Sequence, residues 1–284
     1  MAAIECGVKA IGGDQLQNPY DLCFIPDLSL LAVADEMRGL VIMDLKGEVK
    51  KSNPQAAEAG SVCYDSKLDQ IVVTSARQPM GEPVFVQFYT ASTGCEFINE
   101  IQIPAEPVIK AGYIRYITYD DNTDCYYLAY GDNQKSILWK LTKPDHKWVQ
   151  IRLLDGDMSH PNMLKTRAEG ISRILLTEWT SETDWAVKVL NLESDKVTAE
   201  KIVTKATANI LEPWSSAYGD NMIAVYDYKT GNIFLFNEAT RALLQKIGSV
   251  GAGQWVSMDI YDNTIYVSCS DERLIYIFKL IIHE

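Results

Sequence analysis

In this sequence of 284 residues, the side chains from which a catalytic or metal site would be built are few and scattered. His146 lies in a polar Lys-Pro-Asp-His-Lys-Trp turn and His283 at the end of the sequence, while His160 follows Asp155, Asp157 and Ser159 in Asp-Gly-Asp-Met-Ser-His. No two histidines have the spacing of metal ligands and no Cys-x-x-Cys pair occurs, so no zinc site and no cofactor are expected. A general base must reach a nucleophile within hydrogen-bond distance, and adjacency in sequence does not ensure it, so His160 is taken as a binding residue and no catalytic residue is assigned. Asp155-Gly156-Asp157 is too short for a calcium loop, and neither glycine-rich phosphate-cradling pattern is present. Cys6, Cys23, Cys63, Cys95, Cys125 and Cys269 fall mostly inside apolar runs. They are expected to be buried free thiols in a reducing intracellular, cytoplasmic setting.

The charge balance narrows the partners. Lys and Arg number 26 against 38 Asp and Glu, a net charge of −12. Nucleic-acid binding draws most of its affinity from basic contacts to phosphate, so this balance favours a neutral or basic ligand. No apolar run approaches the roughly 20 residues that span a bilayer, and Met1 to Gly12 lacks the basic start and apolar centre of a signal peptide, so no membrane role is expected.

The elements that must position any site are repeated. Pro19 to Ser52 contains an apolar stretch (Tyr20 to Ile25), a Pro26-Asp27 turn, a strand closed by Asp35, a short polar loop, a further strand (Leu40 to Met43), and Gly47 at the turn into a polar strand. Apolar runs of strand length punctuated by Gly, Pro and Asp predict an antiparallel four-stranded meander. Weakened copies end their second strands at Ser75, Gly131, Glu178, Asp227 and Cys269, roughly 40 to 56 residues apart, the period of propeller blades. The reading is an all-β, six-bladed β-propeller occupying residues 1–284 as one domain. Its blades are expected at about 13–52, 53–103, 104–154, 155–203, 204–249 and 250–284 together with 4–12. The last unit has only three strands, so Ile4 to Gly12 is predicted to complete it and close the ring, since an open propeller would leave unpaired edges.

At Pro19, Asp35 and Gly47 the repeat resembles the NHL repeat, whose family builds six-bladed propellers. That resemblance implies an end face offered to protein partners or to single-stranded RNA, often within a larger regulatory protein. In an up-and-down blade, the loop entering the first strand and the loop joining the second to the third lie on one end. These loops gather Tyr20, Arg38, Arg77, Lys135, His160, Trp179, Trp185, Trp214, Tyr228 and Trp255 as the candidate binding face. Tryptophan at loop ends suits a contact surface, because it offers large area with few rotors. The expected function is a non-enzymatic module that binds a protein or peptide partner on that face, with single-stranded RNA as the alternative. A third reading, a metal-dependent hydrolase resembling the lactonase propellers, would draw on Asp21, Glu169 and Asp259 in the central channel.

Overall fold

The computed structural model describes residues 4–76, 83–104, 114–131, 135–155, 158–164, 172–181, 184–193, 196–204, 207 and 209–282. Among these residues the strands form six antiparallel four-stranded sheets, the blades of a β-propeller. Blade 1 runs Pro19–Ile25, Leu30–Asp35, Gly39–Asp44 and Val49–Asn53. Blade 2 runs Ser61–Asp65, Gln70–Ala76, Val84–Thr90 and Phe97–Gln102. Blade 3 comprises Ile114–Asp120, Cys125–Gly131, Lys135–Thr142 and Trp148–Asp155. Blade 4 comprises Met158–Leu164, Ser172–Ser181, Asp184–Glu193 and Lys196–Thr204. In blade 5 the strands are Pro213–Gly219, Met222–Asp227, Asn232–Asn237 and Leu243–Ser249.

Blade 6 holds Val256–Tyr261, Thr264–Cys269 and Leu274–Ile282, and its outer strand is Ile4–Gly12. That strand lies antiparallel to the last, from Ile4 opposite Ile282 to Gly12 opposite Leu274. The ring therefore closes as the incomplete final repeat predicts. First strands of neighbouring blades contact one another all the way round, which puts them innermost, along the central channel.

The strand sequences follow from where each strand sits. Alternate side chains point to opposite faces of a sheet, and both faces of a blade pack against neighbours, so the middle strands are apolar almost throughout. Leu31 to Ala34 and Leu40 to Met43 are all buried. The outer strand Val49–Asn53 faces solvent on its lysines and is correspondingly polar. Among the described residues the core divides into six apolar clusters, each shared by two adjacent blades. Each fully buried Leu, Ile or Phe in these layers stabilises by about 1.5–3 kcal/mol, so the blades hold one another up.

The aspartates that close the second strands staple the loops. Asp35 is fully buried and accepts from the N–H groups of Gln17 (2.7 Å), Asn18 (3.1 Å), Met37 (3.0 Å) and Arg38 (3.0 Å). Asp227 does the same for Leu211, Glu212 and Lys229 and for the Thr230 hydroxyl. Each carboxylate thus ties the loop entering its blade to the loop between second and third strands. Four residues later, Gly39 and Gly231 have φ of +82° and +71°. A Cβ on Gly231 would lie 2.3 Å from the Gly251 backbone, so only glycine fits there.

Blade 4 differs from the sequence-based expectation. Asp155 to His160 is read there as a loop, but Met158–Leu164 is the inner strand and His160 pairs with Thr177. Trp179 to Ser181 and Asp184 to Trp185 likewise belong to strands, with Trp179 paired with Trp185 in the register of the second and third strands. The polar Thr-Ser-Glu-Thr-Asp composition suggests a long connection, whereas the register carries the strands nearly to the tip.

Candidate functional site

The feature that distinguishes one end of the ring is a chain of aromatic rings crossing blades 5, 6 and 1. Its positions are set by the way each blade begins. Pro19 and Pro213 each open an inner strand, where the missing N–H costs no ladder hydrogen bond. In blade 1 the register slips between Pro19 and Asp21, and in blade 5 between Pro213 and Ser215. Tyr20 and Trp214 are therefore the extra residues of β-bulges, which re-aim a side chain out of the regular alternation. Trp255 immediately precedes the inner strand of blade 6 and holds the corresponding place.

Since these three blades are consecutive around the closed ring, the side chains meet. Ring centroids of Tyr20 and Trp255 stand 6.0 Å apart, those of Trp255 and Trp214 stand 4.6 Å apart edge to face, and those of Trp214 and Tyr228 stand 5.0 Å apart. Edge-to-face and tilted contacts at these separations are favourable beyond the area they bury. Trp214 is 8% exposed and forms the base, whereas Trp255 is 37% exposed and forms the crest. The Trp255 N–H is held by Asp271 at 3.3 Å, and the Tyr226 hydroxyl beneath donates to Gly251 and accepts from Gln254 N–H.

The other predicted face residues have mixed placements. Arg38 lies on the same end and donates to the Asp14 carbonyl at 2.8 Å. Trp185 is 3% exposed inside the apolar layer between blades 4 and 5, so its assignment to the binding face is corrected to a core role. The backbones of Lys135, His160 and Trp179 lie in strands, but their side chains, like the whole of Arg77, fall outside the described residues. The backbone of His160 belongs to an inner strand rather than to the loop expected for it. Among the described residues of the loop end, the carboxylates Asp14, Glu36, Glu212, Asp271 and Glu272 outnumber Arg38, Lys229 and Arg273, and Lys229 itself pairs with Glu212 at 3.3 Å.

The channel contains a link that sequence reasoning noted only as a channel-lining carboxylate. Asp21 accepts from Ser61 Oγ (2.5 Å) and Val62 N–H (3.0 Å) of blade 2, from Ser257 Oγ (2.5 Å) of blade 6, and from Leu22 N–H (2.8 Å). Ser61 Oγ in turn accepts from Ile117 N–H of blade 3. One carboxylate thus joins four of the inner strands. The signal was present in the register: Asp21, Ser215 and Ser257 sit one step below the end of the neighbouring second strand, and Ser61 two steps below. Glu169, named with it as a channel candidate, lies outside the described residues, and Asp259 accepts from the N–H groups of Phe24 and Ile260. Among the described residues no three His, Cys, Asp or Glu side chains converge as a metal set.

Burial pushes the Asp21 carboxyl up to about 6 despite its four donors. With an ordinary value of 3.8, the folded protein binds this proton more tightly than the unfolded chain does. The resulting stability is present below about pH 4 and is lost as pH rises through about 6, on the order of 3 kcal/mol in all. Asp21→Asn has no such titration, but turns an NH2 toward a backbone N–H, a constant cost of about 1–3 kcal/mol. Urea midpoints at about pH 4.5 and about pH 7.5 should therefore show the variant's deficit shrinking toward neutrality. A deficit independent of pH would show that Asp21 carries no such linkage.

No protein-family profile matches this chain, and no curated protein matches it either. Solved structures do. The WD40 repeats of RRP9 superpose with a TM-score of 0.61 at 12% identity, over 98% of this chain and 100% of theirs. A gluconolactonase from Xanthomonas campestris gives 0.65 at 10% identity, over 96% and 90%. An auxiliary nutrient binding protein from Bacteroides thetaiotaomicron gives 0.67 at 8% identity, over 100% and 78%. Similarity at this level of identity speaks to architecture alone. The chain is a six-bladed β-propeller.

Proposed function

We propose that this protein is a non-enzymatic binding module, and that the end carrying Tyr20, Trp255, Trp214 and Tyr228 docks a protein or peptide partner with neutral or basic side chains. The observation that carries this reading is the unbroken run of four aromatic rings across three blades, with Trp255 partly exposed at its crest. Exposed aromatics backed by a rigid layer are the usual anchors of protein interfaces. The surrounding excess of carboxylates favours cationic groups on the partner. The NHL-like pattern at Pro19, Asp35 and Gly47 belongs with this reading, because that family offers the same end to its partners. An intracellular, regulatory setting would follow from it.

Single-stranded RNA is the second reading, since bases stack on exposed tryptophan. The acidic border opposes it, because phosphate would have to approach Asp14, Glu36 and Asp271. A lactonase-like activity ranks third: Asp21 already accepts four hydrogen bonds within the protein.

The test compares the wild type with Trp255→Ala, a partly exposed position whose loss leaves the core intact. A partner recovered by affinity capture should bind the variant about 30-fold more weakly, as expected for an anchor worth ~2 kcal/mol. Equal binding by both proteins would remove the aromatic face as the docking site. Anisotropy with a random pool of short single-stranded RNA decides the alternative. Binding that collapses between low and raised salt would put RNA in first place.

A further inference from the structure

We propose that the opposite end of the channel is a binding site for a small organic cation bearing primary ammonium groups, of the linear diamine or polyamine class. A cavity of about 680 Å³ opens there, among the turns that join first to second strands, and its size is in the range of small-molecule sites.

Charge, wall chemistry and an unpaired hydroxyl point to the same ligand. Among the described residues Asp27, Asp121, Asp220, Asp259 and Glu238 line the cavity, against Arg173, whose guanidinium stands 3.4 Å from Glu238. Acidic groups around a cleft with low-dielectric walls focus the field and concentrate cations. Phe24, Tyr64, Tyr218 and Tyr261 supply the aromatic surface, with Phe24 and Tyr261 centroids 5.0 Å apart. Ammonium groups are attracted to such ring faces.

The floor adds an observation independent of the rim. Ser215 lines the cavity, is 2% exposed, and has no hydrogen-bond partner for its hydroxyl among the described residues. Its register equivalents Ser61 and Ser257 both donate to Asp21. The Ser215 hydroxyl oxygen is open to the cavity, where an entering ammonium N–H would donate to it. The carboxylates at the rim, the aromatic walls and the hydroxyl at depth suit an extended chain with a cationic group at each end.

Isothermal titration of the full chain with spermidine and putrescine, with 1,4-butanediol as the neutral counterpart, tests this. Spermidine should bind saturably at low salt and more tightly than putrescine, and the diol should not bind. The double variant Asp27→Asn/Asp121→Asn changes two rim positions and should weaken spermidine by about fivefold for each charge removed. Ser215→Val should weaken it without altering the salt dependence, while Trp255→Ala on the other end should leave it unchanged. Thermal melts of each variant establish that it is folded. Absence of saturable spermidine binding would overturn the proposal. So would equal binding of the diol, affinity unchanged in both cavity variants, or loss of binding in Trp255→Ala. Unchanged affinity in both cavity variants concerns this cavity alone and leaves the aromatic docking face to its own test.

Discussion

Removing residues 1–12 should open the ring and produce the largest loss of stability of any change considered for this protein. The strand Ile4–Gly12 pairs with Leu274–Ile282 along its whole length. Ladder hydrogen bonds contribute about 0.5–1.5 kcal/mol each, so the deletion is expected to cost at least about 4 kcal/mol. Among the strand's described side chains only Ile11 is buried. Its contribution is therefore chiefly to satisfy the backbone of Leu274–Ile282 and to shield Ile275, Phe278 and Leu280, which the fold buries completely or nearly so. Without it, that edge offers unpaired N–H and C=O groups flanked by apolar side chains, a template for self-association. The expected result is a lower, less cooperative urea transition and concentration-dependent oligomers in light scattering. A circular permutant isolates the cause. Because Ile4 lies opposite Ile282, a short turn after residue 282 can carry residues 4–12 back along the edge. That permutant should recover a cooperative transition. Wild-type stability in the deletion, or no recovery in the permutant, would show that strand closure does not hold the ring together.

Lys143→Met should be the most damaging single substitution. The Lys143 ammonium lies between blades 2 and 3, with its side chain 9% exposed. It donates to the fully buried carboxylate of Asp65 and, at 2.8 Å, to Asp124. The rings of Tyr119 and Tyr126 flank it at 4.4 and 5.0 Å, and the Tyr126 hydroxyl also donates to Asp65. Removing one partner of a buried ion pair leaves an uncompensated charge, which costs about 3–5 kcal/mol. Methionine keeps much of the apolar stem, so the loss reports the charge more than the packing. Asp65→Asn in the Lys143→Met background should restore part of the loss, because the stranded charge is then gone. Denaturant midpoints for the two single variants and the double variant form a cycle whose coupling should exceed about 1 kcal/mol. Additive effects in that cycle would mean that the pair is not coupled.

This ion pair also shows where reading the chain in order stops. Asp65 closes an inner strand and accepts from Lys67 and Leu68 N–H as an ordinary turn residue, which local sequence suggests. Its cation comes from 78 residues away. Nothing in either segment refers to the other, and only packing of blade 3 on blade 2 brings them together. Blade 4 shows the opposite difficulty. Polar composition around Trp179 to Trp185 suggests a loop, yet Trp179 pairs with Trp185 because strand pairing continues wherever register allows it. Trp185 then faces an apolar layer, whereas Trp255, with similar sequence surroundings, faces outward.

By itself the sequence determined the number of blades, the closing strand and the two aspartates, Asp35 and Asp227, that close second strands. These features depend on alternation, turn residues and contacts within about 20 residues, which local stereochemistry and backbone hydrogen bonding decide. Tertiary structure alone decided which aromatic residues stay on the surface and which become core, and that Tyr20 meets Trp255 from the far end of the chain. It also decided that Asp21 reaches Ser257, 236 residues away, and that Lys143 reaches Asp65. The reason is physical: ring closure sets blade 6 against blade 1, and burial is conferred by all the neighbours of a side chain at once rather than by those beside it in sequence.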